Sequence, residues 1–106
     1  MDDWGKSFYE FPLGSIEEKI IRLRRQMLVH SFLYYEDNNT IWDDHQWQDK
    51  ANELAYLQKT RTRKFGFFDK AFEGWDGSTG FNLPFTLGVR NSALKLYREY
   101  ESRYRL

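Results

Sequence analysis

The stretch His30-Ser31-Phe32-Leu33-Tyr34-Tyr35, followed across a polar loop by Asp43-Asp44-His45-Gln46-Trp47, decides how this chain is read. Two adjacent tyrosines stand near the end of one helical pattern, and a carboxylate and a tryptophan open the next. The loop between them, Glu36-Asp37-Asn38-Asn39-Thr40, is turn chemistry, because Asn tolerates left-handed backbone while Asp and Thr bond locally. A short turn between two helices makes them antiparallel neighbours. The two tyrosines, Asp44 and Trp47 should therefore meet at one corner. Such a corner suits a planar, charged ring, and it equally suits the closing of a hairpin's own small core.

Working outward, Ser15 to Glu18 reads as a capping box, with the Ser15 hydroxyl accepting from the Glu18 amide and Glu18 reaching back. Ile16, Ile20, Leu23, Met27, His30 and Tyr34 then recur at three- and four-residue steps, which predicts a helix to about Glu36. Asp43 with Gln46 forms a second box, and Trp42 and Trp47 occupy the positions of a hydrophobic staple. Trp47, Ala51, Leu54 and Leu57 give the second helix one narrow apolar face, with its end predicted near Arg61. Residues 62–90 have no period and are rich in aromatics and turn residues, with a short β-hairpin expected around Asp76 to Gly80. Asn91 is the expected cap of a third helix running to the C-terminus. Residues 1–13 read as an aromatic arm packed on the body, with a short strand among its expected forms.

The predicted architecture is mainly α and a single domain over 1–106. A hairpin spans about 15–61, an irregular segment 62–90 and a C-terminal helix 91–106. The chain has no cysteine, which excludes thiol nucleophiles and disulfides and fits a reducing compartment. No apolar run reaches the length of a membrane span, so no membrane association is expected. The first residues lack the layout of a signal peptide, and the expected location is the cytoplasm. Sixteen basic and sixteen acidic residues cancel, so no net field draws the whole molecule to nucleic acid. Aromatic residues make up 19% of the chain, and they serve dense cores and interfaces alike.

Catalytic sets are thin. His30 and His45 are the two imidazoles and fall on different helices, with no metal-ligand spacing around them. His30, on the apolar face, is expected to be a hydrogen-bonded core residue. Adjacent Asp43 and Asp44 at a helix start are read as capping groups. Asp76-Gly77-Ser78-Thr79-Gly80 lacks the spacing and lysine of a phosphate loop and is read as a folded turn presenting side chains to a partner. The basic run Lys59 to Lys64, with Arg61 and Arg63, suits a helix C-terminus, where carbonyls carry partial negative charge; a phosphate or acidic-protein contact is the alternative.

Residues 20–58 resemble the N-terminal Ia domain of NAD-dependent DNA ligases. The shared pattern runs without gaps through Leu23-Arg24, His30, Tyr34-Tyr35, Asp44, Trp47, Glu53-Leu54 and Leu57-Gln58. The resemblance implies that Tyr34, Tyr35, Asp44 and Trp47 occupy nicotinamide-binding positions, with NMN or NAD as the ligand and no cofactor otherwise required. Trp47 stands where that family has Tyr, Gln46 where it has Glu, and Gln48 where it has a second Asp. Residues 59–106 leave the ligase pattern and are similar to small phage proteins described as ligase-related. With no adenylylation domain in the sequence, no enzymatic activity is expected.

The resulting expectation is a non-catalytic, phage-type accessory protein acting in the host cytoplasm. It would bind a host or phage protein, and inhibition of a host or antiviral-defence protein is one form this takes. Trp75, Asp76, Ser78, Thr79, Phe81, Arg61 and Arg63 are its candidate contacts. One alternative is a module that senses or sequesters NMN or NAD. A third is a nucleic-acid accessory factor using Arg22, Arg25 and residues 59–64.

Overall fold

In the computed structural model, which describes residues 3–5, 11–61 and 64–104, three α-helices carry the fold. They are α1 (Ile16–Phe32), α2 (Asp44–Thr60) and α3 (Leu87–Tyr104), preceded by a 3-10 turn at Asp3–Gly5. Helix α1 is central and packs on both others. Among the described residues there is no strand, and no helix is long and apolar enough to cross a membrane. The protein is mainly α.

Local chemistry explains where the helices start. Ser15 caps α1, its hydroxyl accepting from the Glu18 amide at 3.2 Å. Glu18 does not reach back to Ser15 as expected but accepts from the Gly14 amide at 3.0 Å. The reason is local, because the Ser15 amide already donates to the Pro12 carbonyl. Asp43 caps α2 with both halves of the box formed: Gln46 N to Asp43 Oδ1 is 2.7 Å and Asp43 N to Gln46 Oε1 is 3.1 Å. Arg61 closes α2, where the sequence placed its end.

Two expectations are corrected. Helix α3 begins at Leu87, not after Asn91. Thr86 does the capping, its hydroxyl 3.4 Å from the Val89 amide and its carbonyl accepting from Arg90. Nor do residues 75–81 form a β-hairpin. Asp76 instead closes a turn through its Oδ1, which accepts from the Ser78 amide and hydroxyl at 2.9 and 2.7 Å. The flanking aromatics face the helices instead of each other, so nothing zips a ladder. Residues 6–10 of the expected N-terminal arm lie outside the described residues. Residues 3–5 pack against the body through Trp4, whose indole donates to Ser92 at 2.7 Å.

The end of α1 positions the corner. After Phe32 the helix widens into a π turn, Leu33–Asp37, and stops at Asn38 in the left-handed conformation (φ 56°). The amides of Asn38 and Asn39 both donate to the Leu33 carbonyl. Leu33 stays in the core while its two neighbours turn outward. Wide turns of this kind recur at functional sites, because they re-aim side chains that a regular helix would spread apart.

Below the corner the core is built from all three helices and the irregular segment. Ile20, Met27 and Leu28 of α1 and Leu33 of the π turn meet Trp47, Ala51 and Leu54 of α2, Val89 and Ala93 of α3, and Phe65, Phe67 and Phe72 of the connection. A charged residue stands among them. Arg24 is 5% exposed, and its guanidinium bonds the Gln58 side chain (2.8 Å), the Phe67 carbonyl (2.7 Å) and Asp69 (2.8 Å). It also lies 5.2 and 5.5 Å from the ring centres of Phe65 and Phe72.

Candidate functional site

The four residues assigned to the corner come together. Tyr34 and Tyr35 meet edge to face at 4.8 Å, and Tyr35 meets Trp47 in the same way at 6.5 Å. Asp44 lies beside the Tyr34 hydroxyl, and its charge, then its hydrogen bond, raises the Tyr34 pKa. Tyr34 and Tyr35 remain 38% and 37% exposed.

Trp47 has a different place. It is 7% exposed, and its indole N–H donates to the fully buried Ser31 hydroxyl at 3.0 Å. Residues 75–81 cover it. Trp75 packs on it edge to face at 6.4 Å and donates from its own indole to the Thr79 carbonyl at 2.9 Å. Gly80 approaches so closely that a Cβ there would lie 2.5 Å from Ser31 Oγ and 3.0 Å from the Trp47 ring. At Gly77 (φ +81°) a Cβ would fall 2.9 Å from the Ala51 carbonyl oxygen. Only glycine meets both demands there, the positive φ and the close approach.

Polar contacts fasten the same loop. Gln48 donates to the Gly77 carbonyl at 3.0 Å and to Asn52 at 2.9 Å. The Tyr35 hydroxyl lies 3.3 Å from Thr79 Oγ1 and accepts from the Gly80 amide at 3.5 Å. Phe81 then stands 6.3 Å from Tyr35 and is 58% exposed. The outward face of the corner is therefore Tyr34, Tyr35 and Phe81 with Asp44 at its edge. Trp47 forms its floor.

Sequence reasoning missed Ser31, Gly80 and the amide of Gln48. A buried serine in an apolar stripe was the available signal, since it must bond something. The proposed staple is also replaced. Trp42 stacks flat on His30 across the hairpin, 3.6 Å apart and 7° from parallel. His30 is buried as expected, but its Nδ1 has no hydrogen-bond partner. Burial without a partner for the charged form pushes its pKa down to about 4.

The other assigned contacts lie elsewhere. Asp76 and Ser78 are exposed on the turn. Arg61 pairs with Glu17 at 3.3 Å, and Arg63 lies outside the described residues. Lys59, Arg61 and Lys64 edge a groove of about 760 Å³ between α2 and residues 69–76, which Phe72 and Trp75 also line. Among the described residues no three His, Asp or Glu converge as a metal site would require.

Gly80 gives a direct stability test. Ser31 has no room to retreat, so Gly80→Ala should cost about 1–3 kcal/mol through overpacking. Urea unfolding would show it, and wild-type stability in that variant would contradict the close packing.

No family model matches the chain, and no solved structure matches it. A DNA ligase from Endomicrobium trichonymphae is 32% identical over a 71-residue alignment that covers 58% of this chain. The chain carries a DNA-ligase-related region. It spans about a tenth of the length of that relative, so the whole ligase's activity does not transfer with the similarity.

Proposed function

We propose that this chain is a non-catalytic binding module, a ligase-related hairpin whose aromatic corner contacts another protein. The observation that carries this reading is the outward face of Tyr34, Tyr35 and Phe81, whose rings contact one another in turn. Buried glycines hold it from below, and exposed aromatics rim it. Interface energy concentrates in such pre-ordered aromatic anchors. In a phage-type accessory setting the partner is a host protein, including one from antiviral defence, and the outcome of binding is inhibition. Immobilised protein should capture a partner from host lysate, and Tyr34→Ala with Phe81→Ala should reduce capture at least about tenfold. Undiminished capture by that variant would remove the corner from the interface.

A second reading, favoured by the meeting of Tyr34, Tyr35 and Asp44, is a nicotinamide nucleotide module. Burial of Trp47 under Gly80 counts against it, because the indole presents no open face for a ring. Calorimetry with NMN or NAD decides the matter: heat that disappears in Tyr35→Ala and Asp44→Ala supports it, and no heat at millimolar ligand ends it. The nucleic-acid reading is weaker. Arg22 pairs with Glu18, Arg25 stacks on Trp4 and Phe67, and Arg61 pairs with Glu17.

A further inference from the structure

The sixteen Lys and Arg are not spread evenly. None falls in residues 26–49 or in residues 71–89, the two segments that meet at the corner. An even spread would put about six there. The same segments hold seven acids: Glu36, Asp37, Asp43, Asp44, Asp49, Glu73 and Asp76. Of the cations flanking these segments, Lys50 lies near Glu53 at 3.9 Å, Arg25 stacks on Trp4 and Phe67, and Arg90 lies over the Phe32 ring at 5.3 Å, while Lys70 lines the groove beside α2. The exposed face of Tyr34, Tyr35 and Phe81 is thus flanked in sequence by Glu36, Asp37, Asp43 and Asp44 and by no Lys or Arg, whereas Glu73 and Asp76 line the groove with Lys59 and Lys70.

We propose that this face docks on a basic protein surface, with an arginine-bearing segment of the partner laid across Tyr34, Tyr35 and Phe81. The inference rests on the reading of the corner as a protein interface and specifies the partner's chemistry. A guanidinium plane stacks on aromatic faces while its N–H fork meets a carboxylate. The corner supplies both, since Asp44 lies beside Tyr34 and Phe81 extends the ring surface past Tyr35. A lysine ammonium uses the charge but not the plane. A polyphosphate is repelled by the acids.

Titration of an oligo-arginine peptide into the isotope-labelled chain, read by amide chemical shifts, tests this. Shifts should cluster in residues 34–37, 43–47 and 79–81. Affinity should fall about tenfold or more in Tyr34→Ala with Phe81→Ala, and severalfold in Glu36→Gln with Asp44→Asn. These side chains are exposed, so the fold tolerates the changes. Oligo-lysine of equal length should bind severalfold more weakly. Shifts centred elsewhere, or equal binding by the Tyr34/Phe81 variant, overturn the proposal. A captured partner separates this proposal from the reading beneath it. Capture lost in Phe81→Ala but unmoved by salt and by Asp44→Asn keeps the interface and rejects a basic partner. Capture unmoved by Tyr34→Ala and Phe81→Ala rejects the interface itself.

Discussion

Arg24→Ala should remove about 3–5 kcal/mol of stability, a large part of what a domain of this size possesses. Three groups lose a guanidinium contact together. The Phe67 carbonyl loses the Arg24 hydrogen bond, Gln58 loses its guanidinium donor, and Asp69 loses its ion pair while keeping the Phe65 and Gly66 amides, at 3.0 and 2.7 Å. Burial presses the Arg24 pKa down, and Asp69 acts to hold it up. Burial pushes Asp69 upward in turn, but the Arg24 hydrogen bond and the two amides outweigh it, so its pKa is lowered overall. The Asp69 side chain is 26% exposed, so water relieves part of its loss and the lower half of the range applies. For a domain near this length that corresponds to a fall in Tm of roughly 12 °C or more. Arg24→Lys should recover only part of this, because an ammonium cannot serve three acceptors spread around a planar fork. Urea unfolding that shows a loss below about 1 kcal/mol for Arg24→Ala would mean the connection is held by its phenylalanines alone.

The second large effect follows from His30. Its folded pKa of about 4 lies below the ordinary value near 6.5, so the unfolded chain binds the proton more tightly. Stability from this group is complete above pH 6.5, declines as pH falls toward 4, and levels off below that. The shift corresponds to about 3 kcal/mol. An imidazolium stacked on Trp42 would recover roughly 0.5–1 kcal/mol of that as a cation–π contact, which is too little to cancel it. The carboxyls of Glu18, Glu53 and Asp69 are held below their ordinary values by hydrogen bonds and ion pairs, so they add their own loss at the acid end of this window. Their contribution is present at higher pH and lost as pH falls through their lowered values. Unfolding free energy measured between pH 7 and 4 should therefore fall more steeply in the wild type than in His30→Phe, and between about pH 6.5 and 5, above the carboxylate range, it should fall in the wild type alone. Parallel slopes for the two proteins would refute the assignment.

Much of the hairpin was legible because its signals are local. Ser15, Asp43 and Gln46 announce helix starts through atoms within four residues of each other. The apolar stripe of α1 and the corner of Tyr34, Tyr35, Asp44 and Trp47 follow from period and loop length. What escaped depends on residues far apart in sequence. Trp42 was paired with Trp47 by position, but His30 lies across the hairpin and offers a flat ring. Arg24 sits on the buried face by its spacing, yet its charge masks the position until Asp69 and Phe67 are seen to meet it. The pairs Asp76-Gly77 and Thr79-Gly80 predicted tight turns and a short β-hairpin, of which the turn at Asp76 forms and the hairpin does not. Their glycines instead serve close approach to Ala51 and Ser31, a demand that turn statistics do not encode. At α3, Gly88 in the first turn hid a start that Thr86 in fact caps.

The loop that seals Trp47 also bears on how separable the helical hairpin is. Ala51, Trp47 and Ser31 are completed by Gly77 and Gly80, and Arg24 by Phe67 and Asp69. Residues 15–61 alone would leave that face bare to water. The hairpin is thus not a portable cassette: its packing is completed by contacts from the downstream chain, reaching back across roughly thirty to forty-five residues. A change in residues 77–80 that looks remote in sequence from the corner therefore reaches it through direct contact with Ser31, Tyr35, Trp47 and Ala51.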